Sequence, residues 1–264
     1  SFKLYAEEIV LCAGAIGSPS LLMHSGVGPS DNLMELGIPV VHPLPGVGQN
    51  LRNHPSISVL YNEAEHLQRD YLTNPIFLRY TASQSTSPKD MTITPDFRQF
   101  LDGHPHTAFN VHVELPTSSG VLSLTSRDSD VPPSLDYNIS DPWDLERLRE
   151  GIRLTIRILE HGAFQGMYKN RTSPTDKDLT DNETLNEWIL SNVGAAQHNS
   201  GTCKMGLYSD PMSVVDQYCK VHGLAGLRVV DASIMPNVVR ANPNATCIMI
   251  GERVVGWIKD SILT

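Results

Sequence analysis

Two hydrophobic periods alternate along this chain. Near the start, a mixed opening from Phe2 to Glu8 gives way to the solid run Ile9-Val10-Leu11-Cys12, which reads as a strand that becomes buried at its end. The small-residue turn Ala13-Gly14-Ala15-Ile16-Gly17 follows. Ser18-Pro19 then reads as N-cap and first residue of a helix through His24, stopped by Ser25-Gly26-Val27-Gly28-Pro29. A strand, a Gly turn and a helix start in succession suit an anion or cofactor, and equally suit a plain packing turn. Asn32 to Leu36 predicts a short helix, Ile38-Pro39-Val40-Val41 a short strand, and Pro45 to Leu51 a loop. Gly46-x-Gly48-x-x-Leu51 lacks the third glycine and the strand–helix context of a dinucleotide fingerprint, so it is not a Rossmann site.

From residue 55 to 115 the period shortens to two. Ser56-Ile57-Ser58-Val59-Leu60 and Phe109-Asn110-Val111-His112-Val113 predict strands of a separate antiparallel sheet, with Val121 to Thr125 as a further strand of it. Thr81 to Lys89, rich in Ser and Thr, reads as a mobile loop. The helical period then returns. Asp141-Pro142 is an N-cap and first-turn proline, and Leu145, Leu148, Ile152, Ile156 and Leu159 follow at spacings of 3, 4, 4 and 3, one apolar stripe. Residues 180 to 191 predict a second helix, with Thr180 as cap, Glu183 as its capping-box partner and Leu185, Trp188 and Ile189 as the buried face. Residues 227 to 231 predict a strand. From about Thr246, Ile248, Met249, Val254, Val255 and Ile258 predict a terminal helix that begins at the Asn242–Asn244 loop. Free N–H groups there favour carbonyl or anionic oxygens of a ligand.

With 264 residues, 40% hydrophobic and 19% charged, the chain has an ordinary globular composition. A formal charge of −9 disfavours nucleic acid or an anionic membrane as partner. No apolar run approaches the roughly 20 residues that span a bilayer. Cys12, Cys203, Cys219 and Cys247 do not form a disulfide framework, which fits a reducing compartment and a cytoplasmic location. Residue 1 is Ser inside an apparent strand, so the chain reads as a piece of a longer protein, and the lack of a leader here decides nothing about targeting.

The chemistry centres on Gln197-His198-Asn199-Ser200-Gly201-Thr202-Cys203-Lys204-Met205-Gly206, where a ring that titrates near neutral pH stands beside a small turn. An amide-dense loop, Arg240 to Thr246, follows. A Cys2His2 metal set from His198, Cys203, Cys219 and His222 has suitable ligand types, but the spacing is not that of a zinc knuckle, and no metal is expected. No Gly-x-Ser-x-Gly elbow marks a serine hydrolase. Most of the ten histidines carry no special context and read as surface or satisfied core residues.

Gly14-Ala15-Ile16-Gly17-Ser18-Pro19-Ser20-Leu21-Leu22-Met23-His24-Ser25-Gly26-Val27-Gly28 resembles the second signature of the glucose–methanol–choline (GMC) oxidoreductase family. Pro45 to Leu51, His198-x-x-Gly201-Thr202-Cys203-Lys204-Met205-Gly206, Val229 to Pro236 and Asn242-Pro243-Asn244-Ala245-Thr246 resemble further family blocks, in the family's order. Ser119 to Leu124 and Asp141 to Leu145 add weaker matches, and residues 56 to 115 are the weak zone. The resemblance implies the C-terminal half of an FAD enzyme similar to choline and other alcohol dehydrogenases or oxidases. It implies an α/β fold (α+β overall): part of a doubly wound FAD-binding domain, plus a substrate domain whose antiparallel sheet is flanked by helices. On that basis residues 1–55 belong to the FAD domain, 56–190 to the substrate domain and 191–264 to a return to the FAD domain. The Gly-rich loop for the ADP half of FAD lies outside this chain.

The resemblance also implies roles. His198 matches the family histidine near flavin N5 and would take the alcohol proton as hydride leaves carbon. Asn242 matches a second active-site position held by His or Asn in the family, and would bond the same oxygen without titrating. Asp231 and Ala232 match positions near the ribityl–pyrophosphate, and the backbone of Pro243 and Asn244 would lie by the flavin pyrimidine. Asn53-His54 departs from the family's frequent Asp-His, so no role is carried onto it. The expected partner is a small-molecule alcohol. A cation cage for choline would need aromatic and acidic residues such as Tyr61, Tyr71, Tyr80 and Glu114, which nothing in the pattern brings together. The alternatives are a cyanohydrin-type lyase that keeps its flavin on the same fold, and a truncated, non-catalytic relic.

Overall fold

The computed structural model describes residues 3, 5–65, 76–101 and 104–262. In chain order its elements are β1 (Ile9–Leu11), α1 (Gly14–His24), β2 (Val27–Gly28), α2 (Ser30–Glu35), β3 (His42–Pro43), β4 (Pro55–Glu63), β5 (Leu78–Tyr80), β6 (Met91–Leu101), β7 (His104–Val113), β8 (Val121–Ser123), β9 (Ser134–Asp136), α3 (Pro142–Leu159), β10 (Tyr168–Ser173), α4 (Asn182–Asn192), β11 (Gly194–Ala195), β12 (Leu227–Val229) and α5 (Asn244–Ile262). They are mixed α/β, and they divide into two compact units. The first gathers residues 1–53, 119–138 and 197–264; the second holds 54–118 and 139–196. Residues 119–138 therefore belong with the first unit, not with the substrate-domain span expected from the sequence.

In the first unit, β1 and β12 pair in parallel, Ile9 opposite Leu227 and Leu11 opposite Val229. The core collects Leu22 and Met23 of α1, Val47, Leu122, Cys203, Val215, Val229 and Ile234, with Ile250 and Val254 of α5. The expectation of a buried β1 is corrected: Ile9 is 53% exposed. A parallel strand is buried where layers cover both faces, and among the described residues β1 pairs with β12 alone. The opening residues Phe2 and Leu4 lie outside the described residues. The short strand expected at 38–41 falls instead at His42–Pro43, because Val41 and His42 both send their N–H groups to Gly26 O (2.8 and 3.1 Å), which sets the pairing one step later. β8 pairs with β9, so Val121–Ser123 is not a strand of the large sheet as expected.

The second unit is a six-stranded antiparallel sheet in the order β10-β4-β7-β6-β5, with β11 also on β4. Strict alternation along β4 buries residues 55, 57, 59, 61 and 63. The stripe Leu145, Leu148, Ile152, Ile156 and Leu159 of α3 is buried against Val59, Met91 and Val111, and Leu185 and Ile189 of α4 join it. A Cβ at Gly151 would meet Val111 Cγ1 at 2.3 Å, so the absence of a side chain there lets helix and sheet approach. Asp141 caps α3 as expected, accepting from Trp143 N–H at 2.9 Å. The α4 cap is corrected to Asp181, which accepts from Thr184 N–H at 2.8 Å, whereas Thr180 has helical φ and ψ and donates to Lys177 O. The 81–89 loop is laced together: Asp90 accepts from Ala82 N–H (2.9 Å) and Ser85 Oγ (2.7 Å), and Lys89 N–H donates to Thr81 Oγ1.

Arg147, Asp90 and Asp144 form a buried ionic cluster in this unit, each 2% exposed or less. Arg147 bonds Asp90 at 3.1 Å and also Asp144, while Asp144 accepts from Thr117 N–H (2.9 Å) and Ser118 N–H (2.8 Å). The guanidinium is the cluster's cation, so Arg147→Met strands two carboxylates in the core. We expect a loss of about 3–5 kcal/mol in urea unfolding of the complete protein; a loss below about 1 kcal/mol would show that the cluster carries little stability.

Candidate active site

The site grows from a proline within a helix. Pro19 lies inside α1 and has no N–H, so the Ala15 carbonyl lacks its normal i→i−4 donor. Thr202 Oγ1 takes that donor's place at 2.6 Å in the buried interior. The sequence reading of Ser18 as N-cap is corrected, because α1 already starts at Gly14. Ser18 Oγ instead accepts from Ala13 N–H (3.0 Å) and donates to Asp231 Oδ2 (2.5 Å). Asp231 Oδ2 also accepts from Gly14 N–H at 3.0 Å, and Oδ1 from Ser233 N–H at 2.8 Å. Two amides at the opening of α1, those of Ala13 and Gly14, are thus spent on protein oxygens, which favours the packing-turn reading at these two positions.

This joint fixes the chain that carries the histidine. Gly201, Cys203 and Met205 send N–H groups to Ala232, Ser233 and Ile234 oxygens at 3.1, 2.8 and 2.8 Å. On the other side Gly48 N–H reaches Thr202 O (2.8 Å), and Arg52 and Ser200 exchange backbone bonds of 2.9 and 3.0 Å. Gly201 has φ 85°, and a Cβ there would sit 2.5 Å from Asn50 O, so both conformation and space demand glycine. Asn50 Nδ2 donates to Gly201 O and Pro236 O, each at 3.2 Å.

His198 and Asn242, 44 residues apart, meet with Asn242 Nδ2 2.9 Å from His198 Nε2. An amide nitrogen has only N–H to offer, so with Nδ2 turned to the ring Nε2 is the acceptor, the arrangement of an imidazole that carries its proton on Nδ1. A basic nitrogen therefore faces an amide donor at a solvent-reachable spot: His198 is half-buried and Asn242 exposed. Pro243 and Asn244 follow directly at the start of α5, earlier than the expected Thr246. The first turn of α5 carries no acidic residue, and Asn244 and Ala245 are exposed. Its leading N–H groups have no i−4 carbonyl, so this end is positive and open to an anionic or carbonyl-bearing ring. Asp231 and Ala232 lie at the end of β12, their side chains buried at 8% and 7% exposure and engaged within the protein.

The pattern-based search missed Asn53, Asn199 and Tyr137. His198 N–H donates to Asn53 Oδ1 at 3.0 Å, Asn53 Nδ2 to Asn199 Oδ1 at 2.7 Å, and Tyr137 OH to the same oxygen at 2.8 Å. The one signal was Asn53 itself, standing where the family often has Asp. The aromatic and acidic residues weighed for a cation cage are not gathered. Tyr61 packs edge-on against Phe109, Glu114 pairs with His54 at 3.5 Å, and Tyr71, with His66, lies outside the described residues. Among the described residues no three His, Cys, Asp or Glu side chains gather to hold a metal, and no helix is long and apolar enough to cross a membrane.

All four cysteines are free thiols, each raised above the ordinary thiol value by burial first. Cys219 is pushed up to about 11 from 9.0, by burial and then by the Asp216 carboxylate. A thiol raised on folding stabilises fully below its unfolded value and loses that contribution as pH rises through its folded value. Unfolding free energy should therefore fall between pH 9 and about 11, and Cys219→Ala should flatten that fall. An unchanged slope in the variant would assign the loss to other groups.

Two mutations test the α1 joint. Thr202→Val leaves the Ala15 carbonyl buried without a donor and should cost about 1–3 kcal/mol, while Thr202→Ser should retain most of the stability. Equal losses in the two variants would place the effect in packing, not in the hydrogen bond.

Profiles of the GMC oxidoreductase family match residues 1–56 and 116–251. The chain is 36% identical to an oxygen-dependent choline dehydrogenase of Photobacterium profundum, over 97% of this chain and 50% of that protein. It is 34% identical to a 5-(hydroxymethyl)furfural oxidase of a Methylovorus species, over 100% of this chain and 52% of that one. The chain thus spans about half the length of the relatives it matches. The fold superposes on pyridoxine 4-oxidase from Mesorbium loti with a TM-score of 0.82 at 25% identity, over 95% of this chain and 51% of that one. Formate oxidase superposes with a TM-score of 0.84 at 21% identity, over 98% and 55%, a likeness of fold alone.

Proposed function

This chain belongs to the GMC oxidoreductase family, whose cofactor is FAD, and from that premise we propose that it carries the proton-handling side of an active site that oxidises an alcohol CH–OH to a carbonyl. The observation that carries the reading is the His198–Asn242 pair, 2.9 Å apart beside the open N-terminus of α5. FAD, when bound, supplies the hydride acceptor. The first turn of α5, free of acidic side chains, suits such a group, and the backbone of Pro243 and Asn244 would hold it there. Asp231 and Ala232 would serve its ribityl–pyrophosphate side, Asp231 by holding Gly14, Ser18 and Ser233 in place.

Oxidising an alcohol removes a hydride from carbon and a proton from oxygen. The alcohol takes the amide's place on Nε2: Asn242 Nδ2 turns its N–H to the hydroxyl oxygen and holds it, and the O–H is directed at the freed His198 Nε2 lone pair. His198 takes that proton as general base, and negative charge developing on oxygen is met by the Asn242 N–H and the positive end of α5. The substrate is a small alcohol, in keeping with relatives named for choline and for a hydroxymethyl furan.

The test is the visible flavin spectrum of the complete protein, recorded anaerobically before and after a panel of alcohols. Bleaching by an alcohol supports the reading; bands that persist with every alcohol argue against it. His198→Ala should slow bleaching about 10²-fold or more, and Asn242→Ala by about 10². The rate should rise with pH along one ascending limb, because Asn242 does not titrate. Two ascending limbs would bring in a second base.

A further inference from the structure

An imidazole is aimed no better than the backbone that carries it. His198 sits in a segment held by two side chains from distant parts of the chain, Asn53 and Tyr137, which meet the neighbouring Asn199. Asn53, 5% exposed, uses both ends of its amide: Oδ1 accepts from His198 N–H (3.0 Å) and Nδ2 donates to Asn199 Oδ1 (2.7 Å). Tyr137 OH adds a second donor to that oxygen at 2.8 Å. Gln197, just before His198, stands at φ 62°, a left-handed conformation that a non-glycine residue keeps only where surrounding contacts impose it. The clamp therefore sets the direction in which the chain enters His198, and through it the meeting of Nε2 with Asn242.

We propose that Asn53 is a positioning residue for His198, with Asn199 and Tyr137 as the rest of the clamp. The inference rests on the reading of His198 as general base. None of the three is given a contact with the reacting oxygen; they act through the backbone N–H of residue 198 and the side chain of Asn199. Only a side chain that accepts at one end and donates at the other makes both Asn53 bonds. A carboxylate there would set oxygen against Asn199 Oδ1.

The experiment uses the complete flavin-loaded protein and compares Asn53→Ala, Tyr137→Phe, His198→Ala and the double variant Asn53→Ala/His198→Ala. For each it reads the limiting rate of anaerobic flavin reduction, its pH profile, alcohol affinity, flavin content and thermal midpoint. Asn53→Ala should lower the limiting rate about 10- to 100-fold, with alcohol affinity and flavin content unchanged. Tyr137→Phe, which removes one hydroxyl and keeps the ring, should lower it less, and it carries the test if Asn53→Ala folds poorly. The double variant should be no slower than His198→Ala alone, because a residue that acts through His198 has nothing left to position. A full Asn53→Ala penalty in the His198→Ala background would overturn the proposal and assign Asn53 to the fold. Unchanged rates in Asn53→Ala and Tyr137→Phe, alongside a slow His198→Ala, would overturn it while leaving the general base in place. A His198→Ala protein as fast as the parent removes the general-base reading, and this proposal with it.

Discussion

The hydrogen bond from Thr202 to the Ala15 carbonyl is the hinge on which the first unit turns. Pro19 creates the need for it: a proline within α1 leaves one carbonyl that the helix cannot satisfy itself. A buried carbonyl without a donor costs more than an ordinary hydrogen bond gains. The helix is therefore stable only where another segment brings a hydroxyl to that point, and that segment is the one that carries His198. Asp231 sets a second bolt through the same joint, with its three bonds to Gly14, Ser18 and Ser233. Residues 13–19, 197–206 and 229–236 cannot drift apart without leaving buried polar groups unpaired.

That joint separates the two demands on the site. Directional, buried hydrogen bonds fix the residues below His198, and the reactive atoms lie at the rim, where a ligand can reach them. Asn242 comes from the other side, at the mouth of α5, whose Ile250 and Val254 anchor it in the same core as Leu22 and Val229. Histidine and amide thus approach on two elements seated in one hydrophobic cluster, and their 2.9 Å separation is as firm as that packing. The second unit solves its own stability by different means, an alternating sheet under α3 and a buried Asp–Arg–Asp cluster.

Much of this was legible from residue patterns, and the failures share a cause. The α3 stripe and the Asp141 cap were readable because spacing and capping are local. The period-2 run of β4 was readable because alternation is local as well. Ser18-Pro19 misled because a Ser-Pro pair is a helix start by local rules, and only Thr202, far along the chain, makes a proline acceptable inside α1. Val121–Ser123 was a correct strand in the wrong sheet, since a three-residue run carries no information about its partner. Thr180 and Asp181 are both good caps, and which one serves depends on where the preceding turn ends. His198 and Asn242 were found through ordered motif blocks. The meeting of Asn53, Asn199 and Tyr137 was not, because nothing in any one of the three segments shows which residues of the others it touches, even though Asn199 lies in the His198 block and Asn53 stands where the family often has Asp.

The choice of asparagine opposite His198 has a chemical consequence. In the resting pair the amide nitrogen faces Nε2 and offers it an N–H. Once Nε2 holds a proton, it needs an acceptor, and the same side chain has one in Oδ1 after a half-turn about its last bond. The carbonyl oxygen of the product is a second candidate. An amide can therefore follow the proton through both states of the base without changing charge. A second histidine could not do so: near neutral pH it would compete for the proton, and its charged form would repel the imidazolium. On the proposed reading, asparagine leaves the acid–base work to one ring, and the neighbouring charge to the substrate oxygen and the α5 terminus. In that reading a fixed backbone at 198 matters more, because Asn242 cannot take the proton if His198 is misaimed.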